Sequence, residues 1–118
     1  MTCNRSDFEV TRKFWGTTRE VELYLSDGDI RRIDGLLQMG AGASSVYAIL
    51  VKRGVIAAGA LSGPFTAMLG SVVVFYMGWI KRSNNGCGVE LSTTLTPYGS
   101  RPATVTAQTR DDPWWKVW

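Results

Sequence analysis

The sequence predicts a small α+β fold, a β-α-α-β arrangement in which an apolar helical hairpin is flanked by two short antiparallel strands. Three observations lead there. Residues 20–25, EVELYL, and residues 89–96, VELSTTLT, alternate apolar and polar side chains, as half-buried strands do. Between them residues 35–51 give 17 consecutive uncharged positions and residues 54–80 another 27. A basic pair, Lys52-Arg53 and then Lys81-Arg82, closes each run. A chain of 118 residues is expected to form one small domain, with a strand region at 14–25, the hairpin at 26–82, a strand at 87–96 and an extended tail at 97–118.

In the first strand Val21, Leu23 and Leu25 share one face, and Glu20, Glu22 and Tyr24 the other. Phe14 and Trp15, just before it, are placed to cover the same core. Ser26 or Asp27 then caps a helix whose first turn is acidic, and Ile30, Ile33, Leu36 and Leu37 recur at helical spacing. Gly40 and Gly42 interrupt that helix. The pattern resumes in ASSVYAILVKR and stops at Gly54, a suitable C′ residue. VIAAGALSG reads as the turn of the hairpin, with Gly59 serving the turn. Gly63-Pro64 opens a second helix, expected to run to about Arg82, because proline is tolerated in a first turn. At 1.5 Å per residue that helix reaches about 28 Å, near the thickness of a hydrocarbon core. Asn84-Asn85-Gly86 is a turn, and Val89, Leu91, Thr93 and Leu95 then form one face of the closing strand. Three of the four prolines lie in the tail, which reads as loop or extended chain.

Charge divides the chain. Residues 1–34 carry six basic and seven acidic side chains, residues 35–89 carry four basic and no acidic ones, and residues 90–118 carry three of each. An apolar cationic middle favours an anionic lipid surface. No nucleic-acid partner is expected, because the basic residues are sparse and form no stripe interleaved with aromatics. There is no histidine, which removes the commonest general base and the commonest zinc ligand. Ser44 and Ser45 lack a base to activate them, and Asp27, Asp29 and Asp34 have the composition of an ordinary first helical turn. No enzyme activity, cofactor or metal site is expected. The two cysteines, Cys3 and Cys87, are either one disulfide closing a long loop or two unrelated thiols.

The second helix is the most informative segment. Phe65, Met68, Leu69, Val72, Val73, Phe75, Tyr76, Trp79 and Ile80 cover all its sides. A helix apolar all round points to burial in a membrane or an oligomer rather than in a small core of its own. Gly63, Ala67, Gly70 and Ser71 form a row of small residues, which lets helices approach closely. Tyr76 and Trp79 stand just before Lys81-Arg82, where an aromatic belt and snorkelling cations would lie. Trp114, Trp115 and Trp118 either anchor at a lipid interface or fold back over the sheet.

The order FWGTTREVELYL, MGAGASSVYAILVKRGVIAAGA, GPFTAMLGSVVVFYMGWIKR and SNNGCGVEL resembles a group of small actinobacterial proteins of bacteriocin-like character, with a hydrophobic hairpin between two strands. The resemblance covers roughly residues 14–95 and implies membrane-directed antibacterial activity; it carries over no catalytic residue. Together these readings give an expected function: a membrane-active, pore-forming antibacterial protein or toxin domain, secreted or membrane-associated. The residues expected to meet an anionic membrane are Lys52, Arg53, Phe65, Leu69, Val73, Phe75, Tyr76, Trp79, Lys81 and Arg82. The N-terminus MTCNRSDFEVTRKFWG has no apolar stretch of a secretory signal. The competing expectations are a resident membrane protein of immunity or accessory type, and a homo-oligomeric subunit whose hairpin is buried between copies.

Overall fold

The alternating segments pair as the sequence predicts, and everything else is arranged around that pairing. The computed structural model describes residues 4–12, 18–57, 59–61, 64–96, 99–100 and 102–108. Its elements are β1 (Asp7–Arg12), β2 (Arg19–Leu25), α1 (Asp27–Gln38), α2 (Ala43–Lys52), α3 (Pro64–Phe75), α4 (Met77–Ser83), β3 (Val89–Thr96), β4 (Gly99–Ser100) and β5 (Thr104–Ala107). The fold class is α+β. The sheet is antiparallel: β1 lies beside β2, β2 beside β3, and β4 and β5 successively beside β3.

The β2–β3 register runs from Arg19↔Leu95 to Leu25↔Val89. It sets Val21, Leu23, Leu25, Val89, Leu91 and Leu95 on one buried face. Phe8 and Val10 of β1 and Val105 of β5 extend that face as half-buried neighbours. The helices cover it with Ile30 and Ile33 of α1, Val46 and Leu50 of α2, Leu69, Val72 and Val73 of α3, and Met77 and Ile80 of α4. Val55, Ile56 and Leu61, in the connection between α2 and α3, are buried in the same core. The opposite face of the sheet carries Asp7, Glu9, Glu20, Glu22, Tyr24 and Glu90, as strand alternation requires.

Local chemistry explains the helix boundaries. The Ser26 side chain caps α1 by accepting the Asp29 N–H at 3.2 Å, and Asp27 and Asp29 favour its positive end. Gly54 follows α2 at φ +78°, a left-handed conformation that glycine adopts without penalty. Gly88 opens β3 at φ +83°, and a Cβ there would overlap the Leu25 carbonyl oxygen. Gly70 is where α3 meets the start of α2: a Cβ at this position would overlap the Ala43 carbonyl oxygen. Part of the small-residue row thus serves helix contact inside the protein.

Three details depart from β-α-α-β. A further strand, β1, precedes the expected first strand, formed by the short alternation of Phe8 and Val10 with Glu9 and Thr11. The region 26–82 is four helices rather than a simple hairpin, and the helix expected over Pro64–Arg82 divides at Tyr76. The tail expected to be extended chain contributes β4 and β5 to the sheet beside β3. Phe14, Trp15, Trp114, Trp115, Trp118, Gly63 and Cys3 lie outside the described residues.

Two measurements follow from this packing. Gly70→Ala should lower stability by about 1–3 kcal/mol through overpacking against α2, whereas Gly78→Ala, with open space around its site, should leave the thermal midpoint unchanged or raise it slightly. On the outer sheet face Tyr24 donates to Glu22, and the Arg5 guanidinium lies 4.0 Å from its ring centroid. Desolvation, then the Glu90 charge and the hydrogen bond to Glu22, push its phenol up from 10.0 to about 12. Because the folded state holds this proton more tightly, the contribution is whole below pH 10.0 and is lost as pH rises to about 12. Burial also raises the Tyr47 phenol, so ultraviolet titration should show more than one late-ionising tyrosine, of which Glu90→Gln should bring down the one at Tyr24.

Candidate functional site

The site is built on α3 and α4. The break between them is shallow: Tyr76 has φ −93° and ψ 9°, yet its N–H donates to the Val72 carbonyl and its carbonyl accepts the Ile80 N–H. The two helices therefore keep one phase. Leu69, Val72, Val73, Met77 and Ile80 turn inward, and Ala67, Ser71, Val74, Phe75, Gly78, Trp79 and Arg82 turn outward. The outward stripe bears two large aromatics one turn apart, Phe75 at 81% exposure and Trp79 at 60%. Burying them within the molecule would require a second apolar layer, and no such layer exists among the described residues. The Phe75 ring stands edge-on to Tyr76 at 5.1 Å between centroids. The Tyr76 hydroxyl accepts the Ala103 N–H at 3.1 Å, which ties this helical turn to the chain entering β5. Beside Trp79 lies a groove of about 210 Å³ lined by Tyr76, Trp79, Ala103, Thr104 and Val105.

The charges are sorted by layer. The helical segment 27–83 carries six basic and three acidic side chains. Each acid is paired: Asp27 with Arg31, Asp29 with Arg53, and Asp34 with Lys81. Arg32, Lys52 and Arg82 are exposed and have no carboxylate partner among the described residues. The outer face of the sheet is acidic by contrast. It holds a shallow polar cavity of about 340 Å³ lined in part by Glu20, Glu22, Ser92, Thr94 and Thr104.

Asp29 is the buried centre of the helical network, at 4% exposure. Its carboxylate accepts from the Ser6 hydroxyl on one oxygen and the Arg53 guanidinium on the other. The Ser6 hydroxyl oxygen in turn accepts the Ser26 N–H at 2.9 Å. Asn4 accepts the Asp27 N–H, and the Asn84 amide donates to the Asp27 carboxylate. Arg53, the last residue of the hairpin's first arm, is thereby fastened to the start of α1 and to the segment before β1.

The residues expected to meet a membrane are divided by the fold. Phe75, Trp79 and Arg82 share the outward stripe, and Lys81 lies beside it in its pair with Asp34. Lys52 is exposed at the end of α2, with Arg53 next to it in its pair with Asp29. Tyr76 is half-buried, as is Phe65, whose ring faces the Arg19 guanidinium at 5.1 Å. Leu69 and Val73 are fully buried against the chain's own sheet. A helix read as apolar on all sides thus has a covered face and an open one. Among the described residues no helix is long and apolar enough to cross a membrane. Cys87 is disulfide-bonded, and the chain's other cysteine is Cys3, outside the described residues. No group of three or more potential metal-ligating side chains occurs among the described residues.

Sequence reasoning missed the counter-ions. Asp29 and Asp34 read as first-turn acids, yet each holds one cation of a basic pair. The signal was available: residues 35–89 hold four cations and no acid, so partners had to come from elsewhere in the chain. Comparison with known proteins finds no matching family model, no matching curated protein and no matching solved structure.

The two basic pairs should respond differently to substitution. Arg53→Gln leaves the buried Asp29 carboxylate with the Ser6 hydroxyl as its remaining side-chain donor, and should cost about 1.5–3 kcal/mol. Lys52→Gln should stay within about 0.5 kcal/mol of the parent, as exposed substitutions do. Denaturant melts of the two variants check both values.

Proposed function

We propose that the protein is membrane-active: it docks on anionic lipid through the α3–α4 stripe and acts there as a bacteriocin-like antibacterial protein. The observation that carries this reading is the exposure of Phe75 and Trp79 one helical turn apart, immediately before Lys81 and Arg82. Aromatic side chains at the headgroup level with cations beside them suit a water–lipid boundary. Burying a large apolar side chain gains about 1.5–3 kcal/mol, and a cation near an anionic leaflet about 1 kcal/mol. Two aromatics and Arg82, which has no carboxylate partner among the described residues, then sum to roughly the strength of a single acyl anchor, enough for reversible attachment. The acidic outer face of the sheet favours an orientation with the helices toward lipid and the sheet away from it.

Permeabilisation is a second stage. The inward faces of α3 and α4, with Leu69, Val73, Met77 and Ile80, exchange the sheet for acyl chains once β2 and β3 part. A straightened Pro64–Ser83 helix reaches about 30 Å, the thickness of a hydrocarbon core. This mechanism needs no catalytic group, and it places the working protein in the secreted or membrane-associated fraction. The same stripe also suits a homo-oligomer in which two copies cover each other's aromatics.

The test is co-sedimentation and dye release with phosphatidylglycerol-containing vesicles, alongside light scattering without lipid. Phe75→Ala/Trp79→Ala should weaken vesicle binding at least tenfold and abolish dye release. Its melting temperature should stay close to that of the parent, since both side chains are exposed. Equal binding by the double variant overturns the reading. A lipid-free dimer that the same double variant dissolves, without vesicle binding by either protein, establishes the oligomer in its place.

A further inference from the structure

The two basic pairs are each half neutralised, and both by the same helix. Arg53 is held by Asp29 and Lys81 by Asp34, whereas Lys52 and Arg82 have no carboxylate partner among the described residues. The two contacts differ in kind. Asp29 is buried and bound to Ser6 and Ser26, so its pair with Arg53 belongs to the fold. The Asp34–Lys81 pair lies at the surface: the carboxylate oxygen is 3.3 Å from Nζ, and half of the Lys81 side chain is exposed. The other Asp34 oxygen accepts from Gln38 one turn away, which orients the carboxylate toward α4.

We infer that Asp34 is an internal counter-ion standing where a lipid phosphate would stand, so that an anionic headgroup displaces it from Lys81 when the α3–α4 stripe docks. The inference rests on the membrane reading of the same stripe and adds its regulation. An exposed ion pair and a lysine at an anionic leaflet are interactions of similar strength. The exchange therefore lies near balance and is decided by how much anionic lipid the surface carries. Helix α1 sets a threshold of surface charge below which Lys81 stays with Asp34. A zwitterionic surface offers no net charge to tip the exchange.

The experiment compares the full chain with Asp34→Asn, Lys81→Gln, the double variant and Glu9→Gln, on vesicles of phosphatidylcholine alone and of phosphatidylcholine with phosphatidylglycerol. Glu9 is exposed on β1, on the far side of the sheet, so Glu9→Gln changes net charge by the same amount without touching the pair. Asp34→Asn should bind the anionic vesicles about fivefold more tightly, the factor one freed lysine supplies, and reach half-binding at a lower phosphatidylglycerol content. Glu9→Gln should gain less than about twofold, because its charge is screened over the thickness of the domain. The gain of Asp34→Asn should vanish in the Lys81→Gln background. Equal gains for Asp34→Asn and Glu9→Gln, or a gain that persists without Lys81, overturn the counter-ion and leave the membrane reading standing. Absence of binding by the parent chain overturns both.

Discussion

The fold depends on the pairing of β2 with β3. These strands are neighbours in the sheet, yet residues 26–88, with all four helices, are inserted between them. Closing so long an insertion is less costly than its length implies, because loop entropy grows only logarithmically. The register matters more. A slip of one residue would set Leu23 opposite Glu90 or Ser92, so that one of the two strands would turn its apolar side chains outward and its polar ones into the core. With the register set, one face of the sheet is apolar and the other acidic, and each helix must bring its apolar stripe to the same side. Gly88 permits the close approach to Leu25 at the point where the insertion ends.

This logic was legible where side chains alternate or cap. EVELYL and VELSTTLT show their period directly, Ser26 marks the start of α1, and Gly54 marks the end of α2. β1 was legible in part: Phe8 and Val10 alternate with Glu9 and Thr11, but the run is short. β5 was obscured because TVTA is rich in hydroxyls, follows Pro102 closely, and gains its strand form from β3 rather than from its own composition. The break at Tyr76 has no local marker. It coincides with the hydrogen bond from Ala103, a residue 27 positions away.

The α3–α4 segment shows how an apolar count misleads. Its inward face consists of Leu69, Val72, Val73, Met77 and Ile80, and much of its outward face of Ala67, Ser71 and Gly78. The small residues carry no charge, so they lengthen an uncharged run, yet they have little apolar area to hide. Only Val74, Phe75 and Trp79 make the outward face a large apolar surface. The site residues read from the sequence therefore separate. Phe75, Trp79, Lys81 and Arg82, where large aromatics precede a basic pair, are exposed, whereas the burial of Leu69 and Val73 is decided by a sheet distant in the chain.

Gln108 has a consequence for how the molecule bears load. Its side-chain amide nitrogen donates to the carbonyls of Arg5, Leu25 and Val89, and its oxygen accepts the Arg5 N–H. Asn4 adds a backbone bond from its N–H to the Cys87 carbonyl. The chain leading into β1 and the chain leaving β5, which border opposite edges of the sheet, are thus joined across the ends of β2 and β3. An open sheet ordinarily frays from either edge independently. Here a pull on one edge strand is transmitted to the other through the Gln108 amide and the Asn4 backbone bond, so the two margins yield together at that end.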